Sequence, residues 1–319
     1  MEFFDWERME RNMKVLVTGG AGFIASHITD ALIEAGHEVL IVDNLSTGKR
    51  EFLNPNARFV EADIRDENLL KIFQDFRPQR VYHEAAQIDV QTSIKTPMVD
   101  VSTNIMGSVN VMECAHKTGV EKVIYASSAA VYGEPSYLGI DENHPVNPMS
   151  HYGISKHTPE HYFRIYKELY GLNYTCLRYA NVYGIRQDPK GEGGVVSVFV
   201  DKMLKKERPS IFGDGSATRD YVYVADIVQA NMLALTKGDN EIINIGTGVP
   251  VSVRELFDVM NEIVGNHIEP IMAPARAGDI LHSYYDITKA RTVLGFEPKY
   301  LLADGLQKTV EYYREKYQK

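Results

Sequence analysis

The sequence predicts an α/β fold, in which helices cover both faces of a doubly wound parallel sheet and a smaller C-terminal α/β lobe follows. Three observations predict it. A glycine-rich turn joins the first strand to the first helix, strand and helix patterns then alternate, and the alternation stops after Gly184. With 319 residues, 44% of them hydrophobic, the chain is long enough for a full sheet and a second lobe.

The first strand, Val15 to Thr18, runs through small residues into an amphipathic helix. Gly19, Gly22 and Ala25 allow a sharp turn, a close approach of backbone amides to a pyrophosphate, and close packing of the helix on the strand. The helix N-terminus adds partial positive charge. The pattern indicates a dinucleotide-binding unit of Rossmann type, although a glycine-rich turn standing alone is also typical of a flexible loop.

Acidic residues follow the second and third strands. Asp43 comes after the strand Glu38 to Val42, at the distance from the glycines where a carboxylate binds the adenosine ribose of NAD and repels the phosphate of NADP. The alternative for Asp43 is a turn residue before Asn44. Asp63 either hydrogen-bonds an adenine edge or caps a helix from Asp66 to Phe76.

The fourth and fifth strands end in small or hydroxyl-bearing residues. Arg80 to His83 is followed by Ala85 and Ala86, which leave room for a cofactor at the carboxyl edge of the sheet. Lys122 to Tyr125 leads to Ser128 at the same edge. Its hydroxyl either orients a substrate or caps a helix.

Tyr152 and Lys156 are four residues apart, so they face the same way if the segment is helical. A tyrosine hydroxyl titrates near 10, so acting as a base near neutral pH requires a pKa shift of about three units, or about 4 kcal/mol. A lysine ammonium and an oxidised nicotinamide ring both favour the phenolate. The pair predicts a proton-transfer site with Ser128 sharing the proton, whereas an isolated pair at this spacing is usually structural.

The second lobe begins after Gly184. We expect an NAD-binding domain over residues 13–184, with returning segments around 220–250, and an interleaved substrate lobe over residues 185–319. The returning segments are a helix from Asp226 to Leu235 and a strand from Ile242 to Ile245, which we expect to rejoin the main sheet. Further helices are predicted for Val196 to Lys205, Ser252 to Val264 and Leu302 to Tyr317.

Composition excludes several classes of partner. Lys and Arg number 34 against 43 Asp and Glu, a net charge of −9 without a basic stripe, so we expect no nucleic acid. Cys114 and Cys176 are typical of core thiols in a reducing compartment. No apolar run approaches the roughly 20 residues of a membrane span, and residues 1–12 lack a signal-peptide pattern. We therefore expect a cytoplasmic protein with no membrane partner.

One short motif is typical of a metal site. His157, Glu160 and His161 fit the H-x-x-E-H pattern of some zinc peptidases. Pro159 lies inside the motif, and no helix with a glutamate ligand follows in a suitable context. We therefore expect no metal.

The ordered motifs resemble those of the extended short-chain dehydrogenase/reductase superfamily, most closely its UDP-glucose 4-epimerase branch. They are Thr18 to Ile24, Asp43, Asp63-Ile64, the strand end Ser127-Ser128, and Tyr152 to Lys156. The likeness runs from about Lys14 to near the C-terminus. It implies an isomerase that binds NAD and a UDP-sugar, and a homodimer joined by the helices that contain Asn104 and Tyr152.

The resemblance also implies roles for individual residues. The catalytic residues would be Ser128, Tyr152 and Lys156. The NAD-binding residues would be Gly19, Gly22, Phe23, Ile24, Asp43, Asn44, Asp63, Ile64, Ala85, Ala86, Asn104, Tyr152, Lys156 and Tyr179. The substrate-binding residues would be Ser128, Asn181, Val196, Phe212, Arg219, Arg276 and Ser283. The two arginines suit a diphosphate because a guanidinium makes paired bonds to phosphate oxygens; surface solvation is the alternative.

The implied reaction inverts C4 of the sugar through a transient 4-keto sugar. Tyr152 takes the proton of the 4-hydroxyl while a hydride passes from C4 to NAD; the sugar then turns about its diphosphate and receives the hydride on its other face. Ser283 matches a position where a bulky Tyr crowds the 2-substituent in some members. A small residue there predicts activity on UDP-N-acetylglucosamine and UDP-N-acetylgalactosamine as well as on UDP-glucose and UDP-galactose.

Three departures from the family pattern stand out: Ala25 replaces a common Gly, His151 a frequent Pro, and Pro159 is expected to kink the helix after Lys156. A 4,6-dehydratase is disfavoured because that branch carries an acidic pair where this chain has Ala129 and Ala130. Two competing functions stay open at this point. One is a UDP-glucuronate 4-epimerase or decarboxylase, and the second is a non-catalytic NAD-sensing module.

Overall fold

A computed structural model describes residues 12–190, 194–265, 267–275 and 280–318. The strands are β1 Lys14–Thr18, β2 Glu38–Asp43, β3 Arg58–Glu61, β4 Arg80–His83, β5 Lys122–Ser128, β6 Asn173–Tyr179, β7 Asn181–Tyr183, β8 Ser210–Phe212, β9 Thr218–Tyr223, β10 Glu241–Ile245, β11 Pro250–Ser252 and β12 Ile271–Ala273. The α-helices are α1 Phe23–Glu34, α2 Leu69–Phe76, α3 Val90–Lys95, α4 Pro97–Asp100, α5 Gly107–Thr118, α6 His151–Tyr170, α7 Val195–Leu204, α8 Val224–Ala234, α9 Val253–Val264 and α10 Leu302–Gln318.

The main sheet has seven strands in the order β10-β6-β5-β4-β1-β2-β3, and every neighbouring pair is parallel. The connections reverse direction at β1, which pairs with β2 on one side and β4 on the other. This is the doubly wound, Rossmann-type order, so the predicted fold class is confirmed. Ligands of such sheets bind at the carboxyl ends of the strands beside this reversal.

The central strands are apolar throughout because both faces of the sheet are covered. Val15 and Val17 of β1 belong to the same core cluster as Ile28 and Leu32 of α1. Leu16, on the opposite face of β1, belongs to a second cluster with residues of α2, α5 and α6. Two buried faces therefore explain the continuous apolar run in the sequence.

The later part of the chain builds a third core and also returns to the main sheet. Phe199, Leu256, Phe257 and Val310 of α7, α9 and α10 pack in this core. It is accompanied by a three-stranded sheet, β11-β9-β7, and a two-stranded sheet, β12-β8. The segment 241–245 leaves this region and pairs with β6 as the edge strand of the main sheet.

Local details of three helices bear on the sequence patterns. The apolar spacing from Val99 through Val109 to Ala115 is typical of one helix, but a π-helical segment, Val101–Met106, joins α4 to α5 here. Helix α2 begins at Leu69, later than the predicted start at Asp66, and is preceded by Asn68 at its N-cap position. Pro159 lies inside α6, which continues to Tyr170, so the kink expected at this residue stays a prediction. Within the described ranges no helix is both long and apolar enough to cross a membrane.

Candidate active site

A cavity of about 350 Å³ lies at the carboxyl ends of β1 and β4, where the strand order reverses. Its walls come from the ends of the strands and from the first turns of α1 and α6. The predicted site residues that line it are Gly19, Gly22, Phe23, Ile24, Asp43, Asn44, Asp63, Ile64, Ala85, Ala86, Ser128, Tyr152, Lys156, Tyr179 and Asn181. The structure therefore brings together residues that are up to 162 positions apart (181 − 19).

The turn between β1 and α1 requires its glycine. Gly19 has a φ of +73°, and a Cβ atom there would lie 2.8 Å from the backbone N and Cα of Ala85. Its amide donates to the carbonyl of Val42, which fixes the turn against β2. Gly22 precedes α1 and has no side chain to cap the first amides of the helix. The turn therefore offers backbone N–H groups and partial positive charge to an anion, as a pyrophosphate requires.

Asp43 ends β2 and is held in one orientation. Its carboxylate accepts hydrogen bonds from the amides of Ala21 at 3.0 Å and Leu45 at 2.7 Å. Burial raises the pKa of Asp43, and these two amide bonds oppose the rise. The turn interpretation is confirmed by the bond from Leu45, and the same residue lines the cavity, so ribose binding stays a prediction. A fixed carboxylate here suits the two hydroxyls of a ribose.

Asp63 lines the same end of the cavity. It accepts hydrogen bonds from Arg65 at 2.7 and 2.8 Å and from Asn44 at 2.7 Å. The Arg65 bonds are the main reason that its pKa falls to about 2, so Asp63 is ionised at neutral pH. Because α2 starts later and is preceded by Asn68, the helix-cap interpretation of Asp63 is wrong.

The reactive end of the cavity holds Ser128, Tyr152 and Lys156. Ser128 is the last residue of β5, and Tyr152 lies in the first turn of α6, where the Ser150 hydroxyl accepts from the amide of Gly153 at 3.0 Å. A Cβ at Gly153 would collide with the carbonyl oxygen of Ala130, so only glycine lets α6 start this close to the end of β5. The Tyr152 hydroxyl therefore lies close enough to Ser128 for the serine hydroxyl to lower the pKa of the phenol.

Burial dominates the titration of both α6 residues. Burial raises the pKa of Tyr152, although the Ser128 hydrogen bond lowers it, and the charge of Asp100 raises it further. Burial also lowers the pKa of Lys156 to about 8 against the opposing effect of Glu84 and Glu160. Lys156 alone therefore does not lower the pKa of Tyr152 as far as proton transfer requires. The loss of hydration of the buried phenolate raises this pKa by more than the lysine lowers it.

A buried ion pair fixes the strands behind the reactive end. The Glu160 carboxylate accepts from the Arg178 guanidinium at 2.6 and 2.9 Å and from the Ser127 hydroxyl at 2.6 Å. Glu160 and Arg178 are 2% and 3% exposed. The pair joins α6 to β6 and, through Ser127, to β5, so it sets the position of Ser128 relative to Tyr152. Sequence analysis missed it, although an arginine inside a central strand was a signal that a buried partner exists.

Asn104 lies in the π-helical segment and ties a loop to α6. Its side chain accepts from the amide of Gln87 at 2.7 Å and donates to the carbonyl of Gln87 at 2.9 Å and to Ser155 Oγ at 2.9 Å. The loop after β4 and the first turns of α6 are therefore fixed to one another. Asn104 stands behind the cavity and does not line it.

Several residues of the cavity wall were not predicted from the sequence, and two of them carry long polar side chains. Glu84 follows β4 directly and accepts a hydrogen bond from the Tyr179 hydroxyl at 3.0 Å. Gln187, which is 6% exposed, lines the cavity next to Gly194. The position of Glu84 at the end of a buried strand was a signal, but only the small residues that follow it were interpreted.

Most predicted substrate residues of the second lobe lie away from this cavity. Val196 is 2% exposed and packs in the third core, and it does not line this cavity. Arg219 donates to the carbonyls of Ile280 and Thr218 at 2.6 and 2.8 Å. Ser283 donates its amide to Thr218, while Phe212 is 37% exposed at the end of β8. Arg276 lies outside the described residues.

The H-x-x-E-H motif is used for contacts within the protein. Glu160 belongs to the ion pair with Arg178, and its Oε2 atom also lies 3.0 Å from Nδ1 of His157. The Nε2 atoms of His157 and His161 are 2.9 Å apart and hydrogen-bonded to one another. These bonds occupy the groups that would ligate a metal in the zinc-peptidase pattern.

Comparison with known proteins gives a family and close structural neighbours. The chain matches the NAD dependent epimerase/dehydratase family over residues 15–246. It is 50% identical to a UDP-glucose 4-epimerase of Thermotoga maritima solved with UDP-glucose, with a TM-score of 0.94 and 96% and 100% of the two chains covered. A UDP-glucose 4-epimerase of Thermus thermophilus in complex with NAD is 41% identical, with a TM-score of 0.89 and coverage of 95% and 99%. A UDP-N-acetylglucosamine 4-epimerase of Methanobrevibacter ruminantium, in complex with UDP-N-acetylmuramic acid, is 35% identical, with a TM-score of 0.92 and coverage of 96% and 100%.

Proposed function

Because this chain belongs to the NAD-dependent epimerase/dehydratase family, we propose that it is a UDP-sugar 4-epimerase. Its substrates would be UDP-glucose and UDP-galactose and their N-acetylated counterparts. The observation that carries the proposal is one cavity with a pyrophosphate-binding turn and Asp43 at one end and Ser128, Tyr152 and Lys156 at the other. The likeness to epimerases solved with UDP-glucose and with NAD supports it.

The protein's own part in the reaction is to move one proton at the sugar 4-hydroxyl. Tyr152 accepts that proton, and Ser128, which is hydrogen-bonded to the same phenol, orients the 4-hydroxyl. NAD, when bound, supplies an acceptor that takes a hydride from C4 and returns it to the opposite face. Loss of the proton and the hydride leaves a 4-keto sugar, and Tyr152 returns the proton when the carbonyl is reduced. General acid–base catalysis of this kind contributes about 100-fold to 10,000-fold.

Two positive charges favour the phenolate that this step requires. Lys156 is buried beside Tyr152 with its Nζ atom 4.7 Å from the centre of the Tyr125 ring. The nicotinamide ring of the oxidised cofactor is the second positive charge. Since burial raises the pKa of Tyr152 in the protein, we expect the tyrosine to become an effective base only when both charges are present.

The UDP part would be held by the second lobe, so that the hexose is free to turn. Asn181 lines the cavity at the border between the two lobes and is our candidate for the first substrate contact. Arg219 and Arg276 are candidates for the diphosphate, and Ser283 for the space beside the sugar 2-substituent. Strong binding of the nucleotide together with weak binding of the hexose would permit the rotation that epimerisation needs.

A homodimer is the assembly that accompanies this proposal. An apolar surface on the helical segment 90–106 and on α6 supports it. The exposed side chains are Ile94 at 53%, Met98 at 75%, Met106 at 63%, Ile154 at 48% and Leu169 at 66%. A monomer rarely leaves so much apolar surface in contact with water. The molar mass in solution, measured by light scattering, tests it; a monomer at micromolar concentration would contradict it.

The proposal is tested by NMR of the purified protein with a panel of UDP-sugars and no added reductant. We expect each of the four hexose and N-acetylhexosamine substrates to convert to its C4 epimer without net consumption of NAD. Turnover confined to UDP-glucuronate would favour the glucuronate 4-epimerase or decarboxylase. A lack of turnover by NAD-loaded protein with every sugar nucleotide would favour the NAD-sensing module.

A further inference from the structure

Glu84 is a carboxylate of the cavity wall that has no part in the proton transfer described above. It follows β4 directly, and it lines the cavity together with Lys156 and Tyr179. Carboxylates are seldom kept in such an enclosed position unless they are paired or have a function. Its neighbours indicate what that function is.

A chain of hydrogen bonds fixes Glu84. The amide side chain of Asn231 donates to the Tyr179 hydroxyl oxygen at 2.7 Å, and Tyr179 donates its own proton to Glu84 at 3.0 Å. Asn231 and Tyr179 are 0% and 5% exposed, so neither partner is free to turn towards water. The donated proton meets a carboxylate oxygen, which favours the ionised form of Glu84 and gives it a fixed position.

Opposing effects act on the ionisation of Glu84. Burial raises its pKa to about 7, against the lowering effects of the Tyr179 hydrogen bond and of Lys156 on α6. The other titratable groups near it are Tyr82 and Tyr125, which lie on β4 and β5 and feel its charge. Burial keeps both of these phenols protonated by raising their pKa values. A further positive charge near Glu84 would therefore favour its ionised form.

The cavity itself indicates where that positive charge enters. The turn at Gly19 and Asp43 takes the pyrophosphate and the adenosine ribose of NAD, which leaves the opposite end for the nicotinamide. Hydride and proton leave the same sugar carbon and its hydroxyl, so the nicotinamide must lie near Tyr152. The backbone of Glu84 lies against Gly19, but its carboxylate is directed towards Tyr179, which donates to it at 3.0 Å, and Lys156 also lines this cavity.

We propose that Glu84 selects the oxidised form of the cofactor. Its carboxylate favours the cationic nicotinamide of NAD+ over the neutral ring of NADH. Lys156 carries the opposite charge and acts in the opposite sense, so the two residues together set the balance between the two forms. In an epimerase this selection would disfavour the state in which the cofactor holds the hydride. The inference itself depends on the NAD site and not on the identity of the sugar.

The test is a competition between the two cofactor forms for the full-length protein. Wild type, Glu84→Gln, Glu84→Asp and Glu142→Gln are equilibrated with an excess of an equimolar mixture of NAD+ and NADH, and the ratio retained after gel filtration is measured. Glu142 is the matched control, because it is also a half-buried carboxylate with a pKa raised by burial but does not line the cavity.

We expect the retained NAD+ to NADH ratio to fall about tenfold in Glu84→Gln above pH 8, the order expected for the loss of one unit charge in a partly enclosed site. Glu84→Asp should keep most of the preference, and Glu142→Gln all of it. In wild type the ratio should rise with pH as the Glu84 carboxyl group ionises, because burial raises its pKa above the ordinary value. This rise should be smaller in Glu84→Gln, where only the loss of the Lys156 charge at higher pH remains.

Two results would overturn the proposal. One is an unchanged ratio in Glu84→Gln at every pH. The other is an equal loss of both cofactor forms, which would mean that Glu84 only supports the shape of the wall. A thermal unfolding curve of each variant identifies misfolded protein. If Glu84→Gln does not fold, the cofactor ratio of Glu84→Asp is compared with that of wild type instead. Because no sugar is present, failure here leaves the proposed epimerase activity untouched.

Discussion

Replacing Glu160 by Gln tests whether the buried ion pair holds the reactive end of the cavity together. The substitution keeps the size of the side chain but removes its charge. Arg178 would then keep a buried positive charge that faces an amide. Gln can present only one acceptor oxygen to the donor atoms of Arg178 and Ser127 that now contact the two oxygens of Glu160. The perturbation is therefore electrostatic, with little change in packing.

Two independent lines of reasoning give the same magnitude. Breaking a buried pair by removing one charge typically costs about 3–5 kcal/mol. Separately, hydrogen bonds from Arg178 are the main reason that the pKa of Glu160 falls from 4.5 to about 2 despite its burial. A shift of that size corresponds to about 3 kcal/mol of stability at neutral pH. We therefore expect the free energy of unfolding to fall by about 3 kcal/mol.

The assay is urea unfolding followed by circular dichroism at fixed protein and NAD concentrations. Glu168→Gln on the same helix is the matched control, because the Arg164–Glu168 side chains are 57% and 56% exposed. An exposed pair of this kind should change the free energy by less than about 0.5 kcal/mol.

The pH dependence gives a second test. A lowered folded-state pKa means that the stabilisation by Glu160 is present above the unfolded pKa and is lost as the pH falls from about 4.5 towards 2. The difference between wild type and Glu160→Gln should therefore shrink over that range. Unfolding free energies within about 1 kcal/mol of each other at neutral pH would refute the reasoning.

Two further predictions concern the ends of the cavity. Gly19→Ala should lower the NAD content of the purified protein and its thermal stability, because the new Cβ would lie 2.8 Å from the backbone of Ala85. The control is Gly119→Ala, where φ is +75° but the space around the new Cβ is open. It should lower the free energy of unfolding by only about 1 kcal/mol. Equal effects of the two substitutions would show that only backbone strain is measured. Ser283→Tyr should reduce turnover of the two N-acetylated substrates at least about tenfold more than turnover of UDP-glucose, in line with the discrimination that a crowded pocket gives. Equal losses on both pairs, by NMR, would reject Ser283 as the residue that decides this specificity.

The sheet could be predicted from the sequence because a parallel sheet that is covered on both faces leaves a strong local pattern. Every residue of β1 from Val15 to Thr18 is fully buried, and this produces the apolar run before the glycines. The joining of residues 241–245 to the same sheet was also visible, since Ile243 and Ile245 give that segment a buried strand pattern.

The cluster at the cavity was predictable for a topological reason. In this fold the ends of successive parallel strands meet at one edge, so residues after each strand converge whatever their separation in the chain. Asp43 and Ser128 follow different strands, yet both line the same cavity. Tyr152 and Lys156 are added by the helix that begins beside the end of β5.

Features that depend on partners distant in the sequence were not predictable. The Glu160–Arg178 pair joins a helix to a strand: the arginine inside the strand signals that a buried partner exists, but nothing local identifies Glu160 as that partner. The π-helical segment Val101–Met106 has the same apolar spacing as an ordinary helix, so periodicity does not reveal it. Asp63 was open to two interpretations because Arg65 and Asn44, which hold it, are recognised as partners only in the fold.

The central claim is that the Tyr152 phenol carries the proton of the sugar 4-hydroxyl, and replacing Tyr152 by Phe tests it most directly. The variant keeps the ring and its packing, so bound NAD and the affinity for UDP should be unchanged. NMR of UDP-galactose with Tyr152→Phe at a known NAD content should show conversion to UDP-glucose slowed by at least about 100-fold. Conversion at the wild-type rate would contradict the account.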